Sequence, residues 1–292
     1  MIPPQRILLS GGGMKGIALI GALRALEQAA ALKKVKEYCG VSVGAWIAFM
    51  LACKTSLPII KRLVLELNFG GIRNINPEAI IYFPETFGLD DGSKFVAFLE
   101  SLFRLVLKVE PTITFRGLSQ ISEIAFRCWA TDLTDRCVRE FSLKATPDVK
   151  IIDALRASTA IPFYFTPISD PITGHMLSDG GIQGNLPLHY LNDDEREETL
   201  ALGFSGDLDS KVTPETLMDF TNAVFSCLIH SRHEEILEQC KHRILRIPLK
   251  YPSWNFEASR EDREDLLAKG AAAALNWLKV PPGRQTLRRH SL

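Results

Sequence analysis

The first fifty residues alternate apolar runs with glycine turns. Residues 6–10, Arg-Ile-Leu-Leu-Ser, form a short apolar run bounded by a turn, which predicts a buried strand. A glycine-rich turn over residues 11–16 follows. From residue 17 to 32 apolar positions recur at helical spacing, with Leu19, Leu23 and Leu26 on one face. Residues 35–41 predict a second strand, and residues 45–53 an apolar helix that enters the core. Strand, glycine turn, helix, strand, tight turn and helix make a βαβ unit feeding a second helix, the pattern of a parallel sheet covered on both faces.

A further helix is expected over residues 55–69. Gly70, Gly71, Pro77, Pro84, Gly88 and Gly92 punctuate the next stretch. An amphipathic helix over residues 93–109 then presents Phe95, Phe98, Leu99, Leu102, Phe103 and Val106 on its apolar side. This stretch reads as an insertion on the sheet pattern. Strands are expected at 124–130 and 138–143, paired as a hairpin around 133–136, and at 175–177, 199–204 and 242–248. Helices are expected at 151–158, ended by Pro162, at 215–239 and at 260–278. No repeat or low-complexity linker interrupts the chain. The expectation is one domain over residues 1–292, α/β in class, with three α/β/α layers around a mostly parallel central sheet.

Composition narrows the function classes. A chain of 292 residues can bury a large core, and 46% hydrophobic residues exclude wholesale disorder. Lys plus Arg number 34, as do Asp plus Glu, so the basic excess of a nucleic-acid binder is missing. The basic tail Arg284, Arg288, Arg289 and His290 reads as a solvated terminus. Cys39, Cys53, Cys128, Cys137, Cys227 and Cys240 include no CxxC pair and are expected to be reduced, with Cys39 and Cys53 buried. His230 and His233 lack the i, i+4 pattern of a zinc hydrolase helix and read as exposed helix histidines. The start of the chain has no charged segment leading into an apolar one, so no secretory signal is expected. The longest uncharged apolar run, residues 41–53, is too short to span a bilayer. An intracellular, cytoplasmic protein that meets membranes only from the side is the expectation.

Three motifs carry candidate chemistry. Gly40-Val41-Ser42-Val43-Gly44 is a GxSxG at a strand-to-helix junction. Glycines two residues either side let strand and helix backbones approach, and the serine hydroxyl projects from the sheet end near a helix N-terminus. A plain glycine-flanked turn is the bland alternative, and the flanking strand and helix favour the nucleophile. Gly11-Gly12-Gly13-Met14-Lys15-Gly16 presents bare N–H groups able to hold a developing oxyanion. Gly11, Gly13 and Gly16 also fit GxGxxG, the dinucleotide fingerprint. The second strand should then end in an acidic residue but ends in the serine turn, although Glu37 lies at about the right distance. Asp179-Gly180-Gly181 follows a predicted strand, where catalytic groups sit in open α/β sheets; an ordinary Asp-Gly turn is the alternative.

Together these segments resemble the patatin-like phospholipase family. The family's order of a GGGxxG loop, GxSxG followed by alanine, A-x-x-A-S-x-A-I-P, DG[GA] and N-x-P is matched by residues 11–16, 40–45, 154–162, 179–181 and 185–187, within a stretch from about 6 to 187. Ser10 stands where some members carry aspartate. The resemblance implies a hydrolase of phospholipid carboxylic esters with Ser42 as nucleophile and Asp179 as base. Gly11, Gly12 and Gly13 would form the oxyanion hole, an acyl-enzyme would form, and neither metal nor cofactor would be used. Its partner is a lipid substrate at a membrane surface. Lysophospholipids or neutral acylglycerols as substrates, or a lipid-binding member without turnover, stay open. So does a triad using a histidine after Asp179: His189, His230, His233, His242 or His290. Arg156, Ser158 and Thr159 are explained by capping and packing. Pro162, Phe163, Phe165 and Pro167 shape the floor of the site or belong to the core. Residues 83–115 either cover an acyl pocket and touch a bilayer or are core.

Overall fold

The computed structural model describes residues 3–75, 78–205, 213–215, 220, 223–224, 227, 243–253 and 255–280. The helix expected over 215–239, with His230 and His233, falls almost wholly outside these residues, as do Cys240, His242 and the basic tail.

The opening unit forms as its pattern dictates. Strand β1 (Arg6–Leu9) leads through the glycine loop into α1 (Gly16–Gln28), then β2 (Glu37–Gly40), α2 (Val43–Ala52) and α3 (Leu57–Glu66). Helix α1 stops four residues short of the expected end, and Ala30 turns the chain with a left-handed φ of 59°. An inserted stretch carries α4 (Ala79–Thr86), β3 (Gly88–Asp90) and α5 (Ser93–Leu102). There follow α6 (Phe115–Ile121), β4 (Ala125–Asp132), β5 (Cys137–Ser142), α7 (Ile151–Ser158), β6 (Phe163–Phe165), β7 (Ile168–Ser169) and β8 (Met176–Asp179). The chain continues with α8 (Asp193–Glu197), β9 (Thr199–Ser205), β10 (Arg243–Pro248) and α9 (Arg260–Leu278).

The fold is mixed α/β, with a central sheet of mostly parallel strands flanked by helices. Strands β10, β9, β1, β2 and β4 lie side by side and parallel. Beyond them the pairing turns antiparallel. Residues Arg127 to Asp132 of β4 pair with β5, Ala130 to Asp132 pair with β8, and β8 pairs with β7. Both faces are buried, which is why the strands read as continuous apolar runs. Ile7 and Leu9 face a large core with Leu19, Leu23, Ile47 and Leu266. Leu8, Cys39, Val41 and Trp129 face the other side, under Leu186, Leu188 and Leu191.

Two features tie the outer elements to the sheet. Helices α1 and α9 touch backbone to backbone. A Cβ on Gly21 would overlap the Leu267 carbonyl, and one on Gly270 would overlap the Ala18 carbonyl. The inserted stretch pairs β3 with β6 in parallel, Gly88 opposite Phe163 and Asp90 opposite Phe165. It also packs on α2, where Trp46 stacks on Phe95 at 4.7 Å and on Phe98 at 5.6 Å. The single helix expected over 93–109 is in fact split. After Leu102 the backbone widens into a π turn, Phe103–Leu107, closed by Lys108 at a φ of 58°. Phe95 and Phe103 are buried, so this stripe is core.

The α1–α9 contact yields a test. Gly270→Ala should lower stability by about 1–3 kcal/mol through overpacking, read as a shifted denaturation midpoint. Lys269→Ala on the exposed side of the same helix should shift it by less than about 0.5 kcal/mol.

Candidate active site

The serine turn is built by close approach. A Cβ on Gly40 would meet the Gly44 backbone at 2.5 Å and the Leu9 carbonyl at 2.8 Å. One on Gly44 would overlap that same carbonyl. Only glycines let the end of β2, the start of α2 and β1 come together here. Ser42 lies between them at φ 53°, ψ −126°, a backbone conformation that costs a side-chain-bearing residue about 1–3 kcal/mol. Its N–H donates to Ser158 Oγ at 3.0 Å, and the Ser158 hydroxyl donates to the Trp129 carbonyl at 2.7 Å. Ser158 is fully buried at the end of α7.

Sheet register brings the carboxylate to this turn. Strand β5 runs along one edge of β4, so β2 and β8 share the other edge. They run in opposite directions and end facing each other, Gly40 opposite Cys128 and Asp179 opposite Ala130. Trp129, the residue between, receives Ser158. Asp179 is the last residue of β8 rather than lying beyond a strand at 175–177. Its N–H donates to the Ala160 carbonyl at 2.8 Å, and its carbonyl accepts the Thr131 hydroxyl at 2.9 Å.

The Asp179 carboxyl is sealed from water. Burial pushes its pKa from the ordinary value up to about 7, against the opposing pull of the Gly181 N–H and the Ser42 hydroxyl. The Gly181 N–H donates to Oδ1 at 2.7 Å. The Ser42 hydroxyl is close enough to favour the ionised form, yet Oδ2 has no hydrogen bond of ordinary geometry among the described residues. Such looseness is common in acid–base contacts before a substrate binds. A carboxyl with this pKa can take up and return a proton near neutrality.

The glycine loop lies beside the pair. A Cβ on Gly11 would stand 3.3 Å from Ser42 Cβ, and one on Gly16 would stand 2.5 Å from Val43 Cγ2. Gly12 and Gly13 have φ of 146° and 54°, conformations that glycine adopts freely. The Gly11 N–H donates to the Asn185 carbonyl at 2.9 Å, and the Met14 N–H donates to the Ser253 carbonyl at 2.8 Å. Gly12 and Gly13 N–H groups are without a partner among the described residues. Glu37, the acid a dinucleotide would need, stands at the start of β2, far from the serine turn. There it is bound to Arg6 and, at 2.8 Å, to Arg127. The GxGxxG spacing therefore lacks its acidic counterpart.

Other candidates are placed as follows. Arg156 donates to the Gly92 and Asp91 carbonyls at 3.2 Å each and so joins α7 to the insertion. The Thr159 hydroxyl donates to the Leu155 carbonyl at 2.7 Å, a local helix-end bond. Phe165 packs on Phe95 at 5.5 Å, while Phe163 stacks on Phe83 at 6.3 Å and is half exposed. His189 lies against Tyr190 at 3.8 Å; His230, His233, His242 and His290 are outside the described residues. Cys39 and Cys128 are buried, and burial pushes both thiols well up, which leaves them poor nucleophiles. Cys53 is only half-buried, because α2 ends beside it. Ser158, explained in the sequence by capping and packing, instead bridges the Ser42 N–H to the Trp129 carbonyl. Its signal was the Ala-Ser pair ending a short helix just before Pro162.

The fold and this turn define an α/β protein that carries a serine on a strained strand-to-helix junction. The chain belongs to the patatin-like phospholipase family, whose sequence profile matches residues 7–192. An uncharacterized protein, R571, of Acanthamoeba polyphaga mimivirus is 30% identical over 204 residues, 69% of this chain and 65% of that protein. A probable lipid hydrolase, 463L, of Invertebrate iridescent virus 6 is 29% identical over 189 residues, 63% of this chain and 62% of that protein. The chain thus spans a little under two thirds of these relatives' length. VipD from Legionella pneumophila shares the fold, with a TM-score of 0.59, 16% identity, and coverage of 94% of this chain and 66% of VipD. Among the described residues no helix is long and apolar enough to cross a membrane.

The Ser158 bridge is testable. Ser158→Ala should leave the Ser42 N–H and the Trp129 carbonyl unpartnered, costing about 1–3 kcal/mol of stability. Phosphonylation of Ser42 by a fluorophosphonate, with fluoride leaving, should slow at least roughly tenfold, measured by stopped-time labelling of folded protein.

Proposed function

We propose that the chain is a lipid acyl hydrolase that cleaves carboxylic esters of phospholipids. The observation that carries this reading is the meeting of Ser42 with a buried carboxyl whose pKa stands at about 7. Asp179 takes the Ser42 proton on Oδ2 as the serine oxygen bonds to the ester carbon. The carbonyl oxygen becomes an oxyanion held by the Gly12 and Gly13 N–H groups. Because the Gly11 N–H is engaged by Asn185, Gly11 contributes spacing. Collapse expels the alcohol, which leaves with the proton from Asp179, and an acyl-enzyme remains. Water then gives a proton to Asp179, attacks the acyl carbon and releases the fatty acid, the proton returning to Ser42. Every proton in this route is carried by the chain's own groups, so it calls on no metal.

Membership of a phospholipase family and the likeness to a probable lipid hydrolase support a lipid substrate. Lysophospholipids and neutral acylglycerols use the same ester chemistry and stand as the second reading. Work at a membrane surface is supported by α4, which buries none of its residues and exposes Ile80, Ile81 and Tyr82.

Purified protein should hydrolyse phosphatidylcholine vesicles, and Ser42→Ala and Asp179→Asn should each lower kcat by roughly a thousandfold or more. Wild-type activity in either variant would refute the pair. The base works ionised, so kcat/KM should rise as pH climbs through about 7 and level off above it. That limb should vanish from the residual activity of Asp179→Asn.

Stability should move the opposite way. Between pH 4 and 7 the folded chain keeps an Asp179 proton that the unfolded chain has lost, so stability falls as pH rises across that window. The penalty is complete above pH 7 and is on the order of 2–4 kcal/mol. Asp179→Asn should therefore raise the melting temperature at pH 8 by more than at pH 4.

A further inference from the structure

Asn185 stands between the two glycine turns that frame the site. Its backbone carbonyl takes the Gly11 N–H at 2.9 Å. Its side-chain oxygen lies where a Cβ on either turn would fall, 2.5 Å from one built on Gly11 and 2.6 Å from one built on Gly181. The same Gly181 position is 2.9 Å from Asp179 Oδ1, and the same Gly11 position is 3.3 Å from Ser42 Cβ. One carboxamide therefore touches the loop that carries the oxyanion donors and the loop that fixes the acid. Leu186, fully buried, and Pro187 anchor it from behind.

From this geometry we infer that Asn185 is a positioning residue: it sets the separation between the Gly12 and Gly13 donors and the Ser42–Asp179 pair, and it does so with a neutral side chain. The inference rests on the proposed Ser–Asp reaction. Two physical requirements select an amide at this place. Its oxygen packs against the Cα faces of two glycines, which leaves both loops at a fixed distance through weak C–H···O contacts. It also carries no charge. A carboxylate in its place would stand beside Asp179, whose pKa burial has already raised, and would raise it further, because two neighbouring negative charges disfavour each other. The neutral amide keeps the proton acceptor poised near neutrality.

Three variants of the full chain test this. Asn185→Ala should lower kcat on a soluble short-chain ester at least roughly tenfold, with KM changed by less than about threefold, since a misplaced donor acts on the transition state. Asn185→Asp, almost the same shape, should move the acidic limb of kcat/KM up by about one pH unit. Gly11→Ala puts a methyl where the amide oxygen now lies, and its loss of activity should combine less than additively with that of Asn185→Ala. A limb in folded Asn185→Asp that matches wild type overturns the inference, as does wild-type kcat in folded Asn185→Ala. If Asn185→Asp does not fold, the Gly11–Asn185 cycle decides, and strict additivity overturns the inference. The control is Asp179→Asn. A limb that persists there refutes the Ser–Asp reading itself, whereas a limb lost there but unmoved in Asn185→Asp refutes only the role of Asn185.

Discussion

A carboxyl group shut away from water, with one oxygen lacking a bond of ordinary geometry, is the constraint around which the structure is arranged. An ion without partners in such a place is costly, and the chain carries that cost at Asp179 through the positions of its neighbours. The Ala160 carbonyl and the Thr131 hydroxyl hold the Asp179 backbone, and the Gly181 N–H holds one carboxyl oxygen. Ser42 itself sits on strained backbone and depends on Ser158 to satisfy its N–H. Neither group would persist in this state alone; each is over-determined by elements packed against it.

That over-determination relies on backbones touching where side chains usually intervene. Gly40 and Gly44 admit β1 to the serine turn, Gly180 admits the Trp129 carbonyl, and Gly21 and Gly270 lock α1 to α9. Helix α1 begins at the glycine loop, and the clamp acts through Ala18 and Gly21 in its first turns, so it also steadies that loop. Charges gather at the opposite end of the sheet, where Arg6, Glu37, Arg127 and Glu195 satisfy one another.

Much of this was legible in the chain because the responsible constraints are local. A strand, three glycines and a helical period announce β1, the loop and α1, and GxSxG requires its own turn. Ser158 was not legible as a site residue, since its partner Ser42 lies 116 residues away and a serine at a helix end has ordinary explanations. The break after Leu102 escaped because apolar spacing persists through the π turn. Strands β3 and β6, three residues each, are too short to display an alternation. Asp179 could be chosen from its two glycines, but its place at the end of β8 depends on pairing with β4.

Strand β4 also acts as a ruler. Ser42 and Asp179, the proposed nucleophile and base, hang from two strands that do not pair with each other, and the spacing between them is the single residue Trp129 on a third. One residue inserted there would separate the two strand ends by about 3.3 Å and turn the following side chains to the opposite face. The count from Cys128 to Ala130 therefore joins the glycine turns among the lengths that drift in sequence has no freedom to alter.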